Sequence, residues 1–183
     1  MPEVIFEPNS DIYTVDWGKT GGSLYYAHLN YDGDEKFIYT THQSAQWRDI
    51  RFGIDMAGFD GTDKSINFVQ VQFRCFGSPG AYVKAIVRTG LFGHAPWFTA
   101  YRSSRDLTLD WVAYNEIWTM NPIGSGVSWE WVDIAQLQIG ISGYPYYDAQ
   151  MGDWMSPHCS RMKLLVNYND WLTPPPELSG FLF

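Results

Sequence analysis

Two short acidic turns carry the hardest oxygen ligands of this chain. Asp60-Gly61-Thr62-Asp63 and Asp32-Gly33-Asp34-Glu35 each set carboxylates on a turn, and calcium prefers oxygen ligands held that way. Asp60 and Asp63 are the candidate calcium ligands. Asp-Gly pairs are also ordinary hairpin chemistry, so a plain turn is the competing reading, and no other cofactor is expected. Glycoside hydrolysis would need two carboxylates facing each other, about 5–5.5 Å or 6.5–9.5 Å apart. Glu116 falls in a strand-like run, while Glu130 and Asp133 share one face of a helix-like segment. No strand motif sets two carboxylates side by side, so no catalytic residue is assigned and the chain is expected not to be an enzyme. His28, His42, His94 and His158 are far apart, whereas zinc ligands usually come a few residues apart. Gly124-Ser125-Gly126 lacks the lysine of a phosphate loop.

Aromatic side chains are the other candidate site. Tyr144, Tyr146, Tyr147 and Trp154 fall in an irregular stretch, and His94, Trp97 and Phe98 form a second group. Exposed Tyr and Trp stack on sugar rings or anchor protein interfaces. The competing reading is that they cover an open end of the fold.

These residues need a frame, and the period-two runs supply it. Residues 23–30, 37–42, 49–58, 65–76, 81–89, 97–102, 107–120 and 161–168 all alternate for part of their length. In residues 65–76, Val69, Val71, Phe73 and Cys75 share one face while Gln70, Gln72 and Arg74 take the other. That alternation marks a strand with one buried and one wet face. Ser78-Pro79-Gly80 reads as a turn pairing this run with residues 81–89 as a hairpin. About eight or nine strands at roughly 8–14-residue spacing predict an all-β, two-sheet antiparallel sandwich of the jelly-roll or concanavalin-like kind. One short helix is expected near residues 129–138, where Trp131, Ile134 and Leu137 have helical spacing. Ser128 would cap it and Gly140 would stop it.

Composition agrees with that class. The 183 residues include 17% aromatic and 17% charged residues, with 17 Gly and 10 Pro, which suits short strands and tight turns. A domain of this length buries about 70% of its unfolded surface. The net charge of −8 and 12 basic residues without a run argue against nucleic acid, since such binding relies on Lys and Arg displacing counterions. No stretch has the roughly 20 apolar residues that span a bilayer. The opening Met-Pro-Glu-Val-Ile-Phe-Glu-Pro lacks the basic and apolar regions of a secretion signal. Cys75 and Cys159 are expected as buried thiols; a bridge would need neighbouring strands with Cα atoms within about 7 Å.

The ends differ from the middle. Residues 1–12 read as an extended arm, residues 13–171 as the sandwich, and residues 172–183 as a second arm. That last segment has Pro174, Pro175 and Pro176, then Phe181, Leu182 and Phe183. Polyproline is stiff and cannot pair within a sheet, and an apolar tripeptide on such a spacer wants a hydrophobic pocket. These six residues are the candidate interface with another subunit.

The stretch Trp118-Thr119-Met120-Asn121-Pro122-Ile123-Gly124-Ser125-Gly126-Val127-Ser128-Trp129, followed by Trp131, Asp133-Ile134, Leu137 and Gly140, is similar to a pattern of jelly-roll or concanavalin-like virion structural proteins of tailed bacteriophages and related environmental sequences. Gly21-Gly22, Tyr25-Tyr26, Asp34 and Phe37-Ile38-Tyr39 resemble their first strands. The likeness spans residues 15–170 in outline. It departs from the pattern at Ile123, where Asp, Glu or Ala is usual, and by one extra residue in the glycine turn. The resemblance implies a decoration, capsid-associated or tail subunit that assembles in the host cytoplasm with itself or other virion proteins. The alternative is a carbohydrate-binding module whose partner is a glycan.

Overall fold

The computed structural model describes residues 2–20, 24–29, 36–41, 43–91, 94–124 and 126–170. In chain order the strands are β1 (Glu3–Phe6), β2 (Pro8–Tyr13), β3 (Trp17–Lys19), β4 (Ile38–Thr40), β5 (Arg48–Ile54), β6 (Lys64–Phe76) and β7 (Tyr82–Leu91). They continue as β8 (His94–Tyr101), β9 (Arg105–Asp106), β10 (Val112–Trp118), β11 (Gln138–Tyr144), β12 (Tyr146–Asp148), β13 (Asp153–Met155) and β14 (His158–Asp170). Two single helical turns interrupt them, α1 (Tyr26–Leu29) and α2 (Trp131–Ile134).

Among the described residues the first sheet runs β10-β6-β14-β4-β3, with β1 also on β14. The second runs β2-β5-β11-β7-β8, with β9 also on β7. The described pairings are antiparallel. The expected two-sheet sandwich is what the chain forms. Val69, Val71 and Phe73 of β6 and Met162, Leu164 and Val166 of β14 are buried in the same core as Ile50, Phe52, Val83, Ala85, Val87, Ile139 and Ile141 of the second sheet. Burying each of the larger side chains contributes about 1.5–3 kcal/mol. Their strand neighbours point outward, because successive side chains take opposite faces. No helix among the described residues is long and apolar enough to cross a membrane.

Several local expectations are corrected. Residues 65–76 and 81–89 do not form a hairpin: β6 lies in the first sheet and β7 in the second. The turn at Ser78–Gly80, closed by the Ala81 N–H to the Ser78 carbonyl at 3.0 Å with Gly80 at φ +93°, carries the chain from one sheet to the other. Both strands have an apolar face, and crossing lets those faces meet. Within residues 23–30, Tyr26–Leu29 is a helical turn. The carboxylate of Asp11 accepts the Tyr25 and Tyr26 N–H groups, both at 2.8 Å, and these donors are thereby met outside any ladder.

The helix near 129–138 shortens to one turn. Glu130, not Ser128, precedes it, and the Asp133 carboxylate accepts the Glu130 N–H at 2.8 Å. Gly140 lies inside β11, where a β-carbon would collide with the Ile50 carbonyl oxygen. Of the residues with helical spacing, Ile134 and Leu137 are buried and Trp131 is partly buried against the core, beside buried Trp129.

Cys75 and Cys159 are joined by a disulfide instead of remaining buried thiols. They stand opposite each other on β6 and β14 with Cα atoms 4.1 Å apart. Residues 3–12, read as part of an arm, are extended but pair within their own chain, in β1 on β14 and in β2 on β5. Pro174, Pro175, Pro176, Phe181, Leu182 and Phe183 lie outside the described residues, as does the Asp32–Glu35 turn.

Candidate functional site

The outward face of the second sheet gathers polar and aromatic side chains from all five strands of its path. In β5, Asp49 and Arg51 alternate with buried Ile50 and Phe52; in β7, Lys84 and Arg88 alternate with buried Val83, Ala85 and Val87, while Ile86 between them is itself fully covered. The registers align Tyr13, Arg51, Gly140, Ile86 and Tyr101 in one row across β2, β5, β11, β7 and β8. A neighbouring row holds Asp49, Ser142 and Lys84, and on the other side Gln138, Arg88 and Thr99 align.

Hydrogen bonds fix the centre. The Asp49 carboxylate accepts from the Ser142 hydroxyl at 2.6 Å and from the Tyr101 hydroxyl at 2.8 Å. The Lys84 ammonium sits 3.9 Å from the Trp47 ring centre and 4.4 Å from that of Tyr101. Arg51 lies 4.7 Å over Tyr13, and Arg88 lies 5.1 Å over Trp97. Each pairing combines charge with the ring quadrupole. Burial pushes the Tyr101 phenol up to about 12, helped by its bond to Asp49 and that carboxylate's charge. Burial lowers Lys84, with Asp49 opposing. It also lowers Arg88, and the Arg51 charge adds to that shift.

A groove of about 360 Å³ runs over this centre, lined by Tyr13, Val15, Trp47, Arg51, Lys84 and Tyr101 among others. Trp47 also borders an adjoining hollow of about 230 Å³ with Tyr82, Ser104 and Tyr144. There the Tyr144 ring lies 5.4 Å from Trp47 and 6.1 Å from Tyr82. A linear array of rings and hydrogen-bonding groups on strands is rigid and can hold an extended, polar, ring-containing ligand.

The tyrosines and tryptophans singled out in the sequence, Tyr144, Tyr146, Tyr147, Trp154 and Trp97, do not form one site. Tyr144 and Trp97 belong to this face. Tyr146, Tyr147 and Trp154 sit on the β12-β13 hairpin, where the Tyr147 and Trp154 rings are 5.4 Å apart and Tyr146 packs over Gly80. Trp154 lines a separate cleft of about 480 Å³ with Tyr39, Phe76, Leu109 and His158. In that cleft the His158 imidazole stacks on Phe76 and Tyr39, and burial lowers its pKa.

The other sequence candidates have structural partners. Glu116 is buried and pairs with Arg105 at 2.7 Å. Glu130 and Asp133 meet at the start of α2. The Thr62 hydroxyl first, and then the Thr62 N–H that the Asp60 carboxylate accepts at 2.9 Å, lower the pKa of Asp60, and Asp63 takes a left-handed φ of 58°. Among the described residues no three His, Cys, Asp or Glu side chains gather as metal ligands. The Trp118–Trp129 motif closes a loop: the Trp129 indole donates to the Trp118 carbonyl at 3.0 Å, and the Asn121 side chain accepts the Ile123 N–H at 3.1 Å.

Sequence reasoning missed Tyr13, Trp47, Asp49, Arg51, Lys84, Arg88, Tyr101 and Ser142. The available signal was a polar or charged residue at every second position of β5 and β7. Which strands then lie side by side depends on long-range pairing.

No family model matches this sequence, and no curated protein matches it. Solved structures of similar outline include one described as "CBM4 structure and function", with 11% identity and TM-score 0.40 over 72% of this chain and 71% of that one. Another is the N-terminal cellulose-binding domain from Cellulomonas fimi β-1,4-glucanase C, with 15% identity and TM-score 0.42 over 70% of this chain and 76% of that one. A third is TmCBM61 in complex with β-1,4-galactotriose, with 12% identity and TM-score 0.36 over 89% of this chain and 87% of that one. At TM-scores this low the likeness assigns neither ligand nor role.

Proposed function

We propose that this chain is a non-catalytic glycan-binding module that lays an extended oligosaccharide across the outward face of its second sheet. The observation that carries the reading is the groove in which Tyr13, Trp47 and Tyr101 stand beside Arg51, Lys84 and Asp49 with its two hydroxyl donors. Pyranose rings offer apolar C–H faces and a rim of hydroxyls. Aromatic platforms alternating with fixed donors and acceptors match both. Tyr13 and Tyr101 stand on strands β2 and β8 and Trp47 directly precedes β5, so little ordering entropy is lost on binding.

The virion-assembly reading leans on a sandwich without an export signal, on two terminal arms and on the resemblance of residues 118–140. Residues 3–12 are spent on pairing within the chain, and residues 172–183 lie outside the described part. The rings, cations and hydrogen-bonding groups gathered on the sheet face support glycan binding.

Glycan-array screening followed by calorimetry tests the proposal. Trp47→Ala and Tyr101→Ala should each weaken the best ligand by about tenfold or more, in line with the loss of an aromatic anchor. Trp154→Ala should leave affinity unchanged. Loss of binding in Trp154→Ala, with Trp47→Ala unaffected, would move the site to the hairpin cleft and overturn the assignment.

A further inference from the structure

We infer that the ligand of this face is an anionic sugar, one whose carboxylate or sulfate lies between Arg51 and Arg88 over Gly140. The inference rests on the glycan-binding reading and names the ligand class.

The first support is local charge. Arg51, Lys84 and Arg88 stand on this face against the single carboxylate of Asp49. The nearby Arg48 is already matched by Asp16 at 3.3 Å. Neither Arg51, Lys84 nor Arg88 forms an ion pair among the described residues. A positive patch of this kind stands out on a chain of net charge −8 with 12 basic residues. The acidic remainder acts weakly on a bound anion, because charges beyond about 10 Å are screened at ordinary salt.

The second support is unmet hydrogen bonding. The Nε atoms of Arg51 and Arg88 are buried without a partner, and so is the Oε1 atom of Gln138, the residue opposite Arg88 on β11. A buried donor left unpaired is costly. An oxyanion offers acceptors to two guanidinium groups at once, with charge-assisted strength. A sugar hydroxyl next to it can donate to Gln138.

The third is the close approach of β11 to β5 at position 140, which puts the Arg51 stem directly against the strand that also carries Gln138. Arg51 crosses directly beside Gly140, where a β-carbon would come within 3.1 Å of its Cγ. In the free chain the cations rest on Tyr13, Trp47, Tyr101 and Trp97. An anion draws the cations off the rings and frees the rings for stacking, which a neutral sugar cannot do. Single-stranded nucleic acid also combines anions with stacking rings, but its backbone asks for a continuous basic path. Three cations on one sheet do not make one.

Calorimetry on the full chain decides the matter. The panel is oligomers of galacturonate and mannuronate, the same oligomers with carboxyls reduced to alcohols, a sulfated galactan oligomer, neutral gluco-, manno- and galacto-oligomers, and a single-stranded oligonucleotide. At least one carboxylated or sulfated oligomer should bind about tenfold or more tightly than its uncharged counterpart, and the advantage should shrink as salt rises. Arg51→Gln and Arg88→Gln should abolish that advantage while near-ultraviolet dichroism stays native. A carboxylate-only or sulfate-only preference identifies the anion and supports the inference. Equal affinity for charged and uncharged forms, or an advantage that survives both substitutions, overturns it. Binding of neutral oligomers alone overturns it and leaves the glycan-binding reading standing. Tighter binding of the oligonucleotide overturns it, and binding of nothing in the panel overturns both.

Discussion

The Tyr101 hydroxyl donates to Asp49 at 2.8 Å, tying strand β8 to strand β5 over the two strands that separate them. Asp49 holds Ser142 of β11 with its other oxygen, so one carboxylate braces three strands of the proposed binding face. This brace is readable by titration. Tyr101 is pushed up to about 12, first by burial and then by Asp49. A phenol raised in the folded state keeps its stabilising effect below the ordinary tyrosine value of about 10, and loses it as pH climbs from there toward 12. Tyr25 and Tyr114 are also raised by burial, so the signal must be isolated by difference. Tyrosinate absorbance of the native chain minus that of Tyr101→Phe should show a single late-titrating group. A difference curve centred at the ordinary value would refute the brace.

Gly140 gives a prediction about packing. Its β-carbon would meet the Ile50 carbonyl oxygen and the Arg51 backbone, neither of which can move without disturbing the β5-β11 ladder. Gly140→Ala should cost about 1–3 kcal/mol, the range for overpacked sites. Urea unfolding of the two proteins measures it. A variant as stable as the parent would show that the strands can part there, and that the close approach of β11 to Arg51 is not fixed.

Much of this was legible in the chain, and the misses share a cause. Period-two patterning placed β5, β6, β7 and β14 well, because burial of Val69, Val71 and Phe73 or of Ile50 and Phe52 is written into alternate positions. The same patterning mistook residues 65–89 for a hairpin, since two apolar-faced strands joined by Ser78-Pro79-Gly80 can pair side by side or stack face to face. Residues 23–30 alternate too, yet Asp11 supplies an alternative home for the Tyr25 and Tyr26 N–H groups. That home is more than ten residues away and invisible locally. The binding face was missed for the same reason. Tyr13, Arg51 and Tyr101 are ordinary wet-face residues until β2, β5 and β8 are known to share a sheet.

The Cys75–Cys159 bridge closes a loop with a sequence separation of 84. In the chain-entropy account a loop of that length stabilises by about 4–5 kcal/mol, and measured values often fall lower. Reductant should therefore lower the melting temperature clearly. The double variant Cys75→Ala with Cys159→Ala should melt at that reduced temperature whether or not reductant is present. Equal melting of the oxidised and reduced native chain would mean that the cross-link adds nothing to the β6-β14 pairing.

His158 makes a prediction in the acid range. Its ring is sandwiched with Phe76 and Tyr39, and burial lowers its pKa despite an opposing hydrogen bond involving the Ser156 backbone. The sign follows from which state binds the proton more readily. Unfolded histidine protonates near 6.5 while the folded ring resists, so the unfolded chain takes up protons first as pH falls. The stacking contribution is whole above 6.5 and is lost as pH descends toward the depressed folded value. His158→Phe keeps a ring between Phe76 and Tyr39 but cannot titrate. Unfolding free energies of the two proteins should run parallel above the ordinary histidine value and diverge below it, with the variant losing less. Parallel curves through the whole acid range would mean the imidazole charges freely in its stack, and the cleft beside Trp154 would then be wetter than its lining implies.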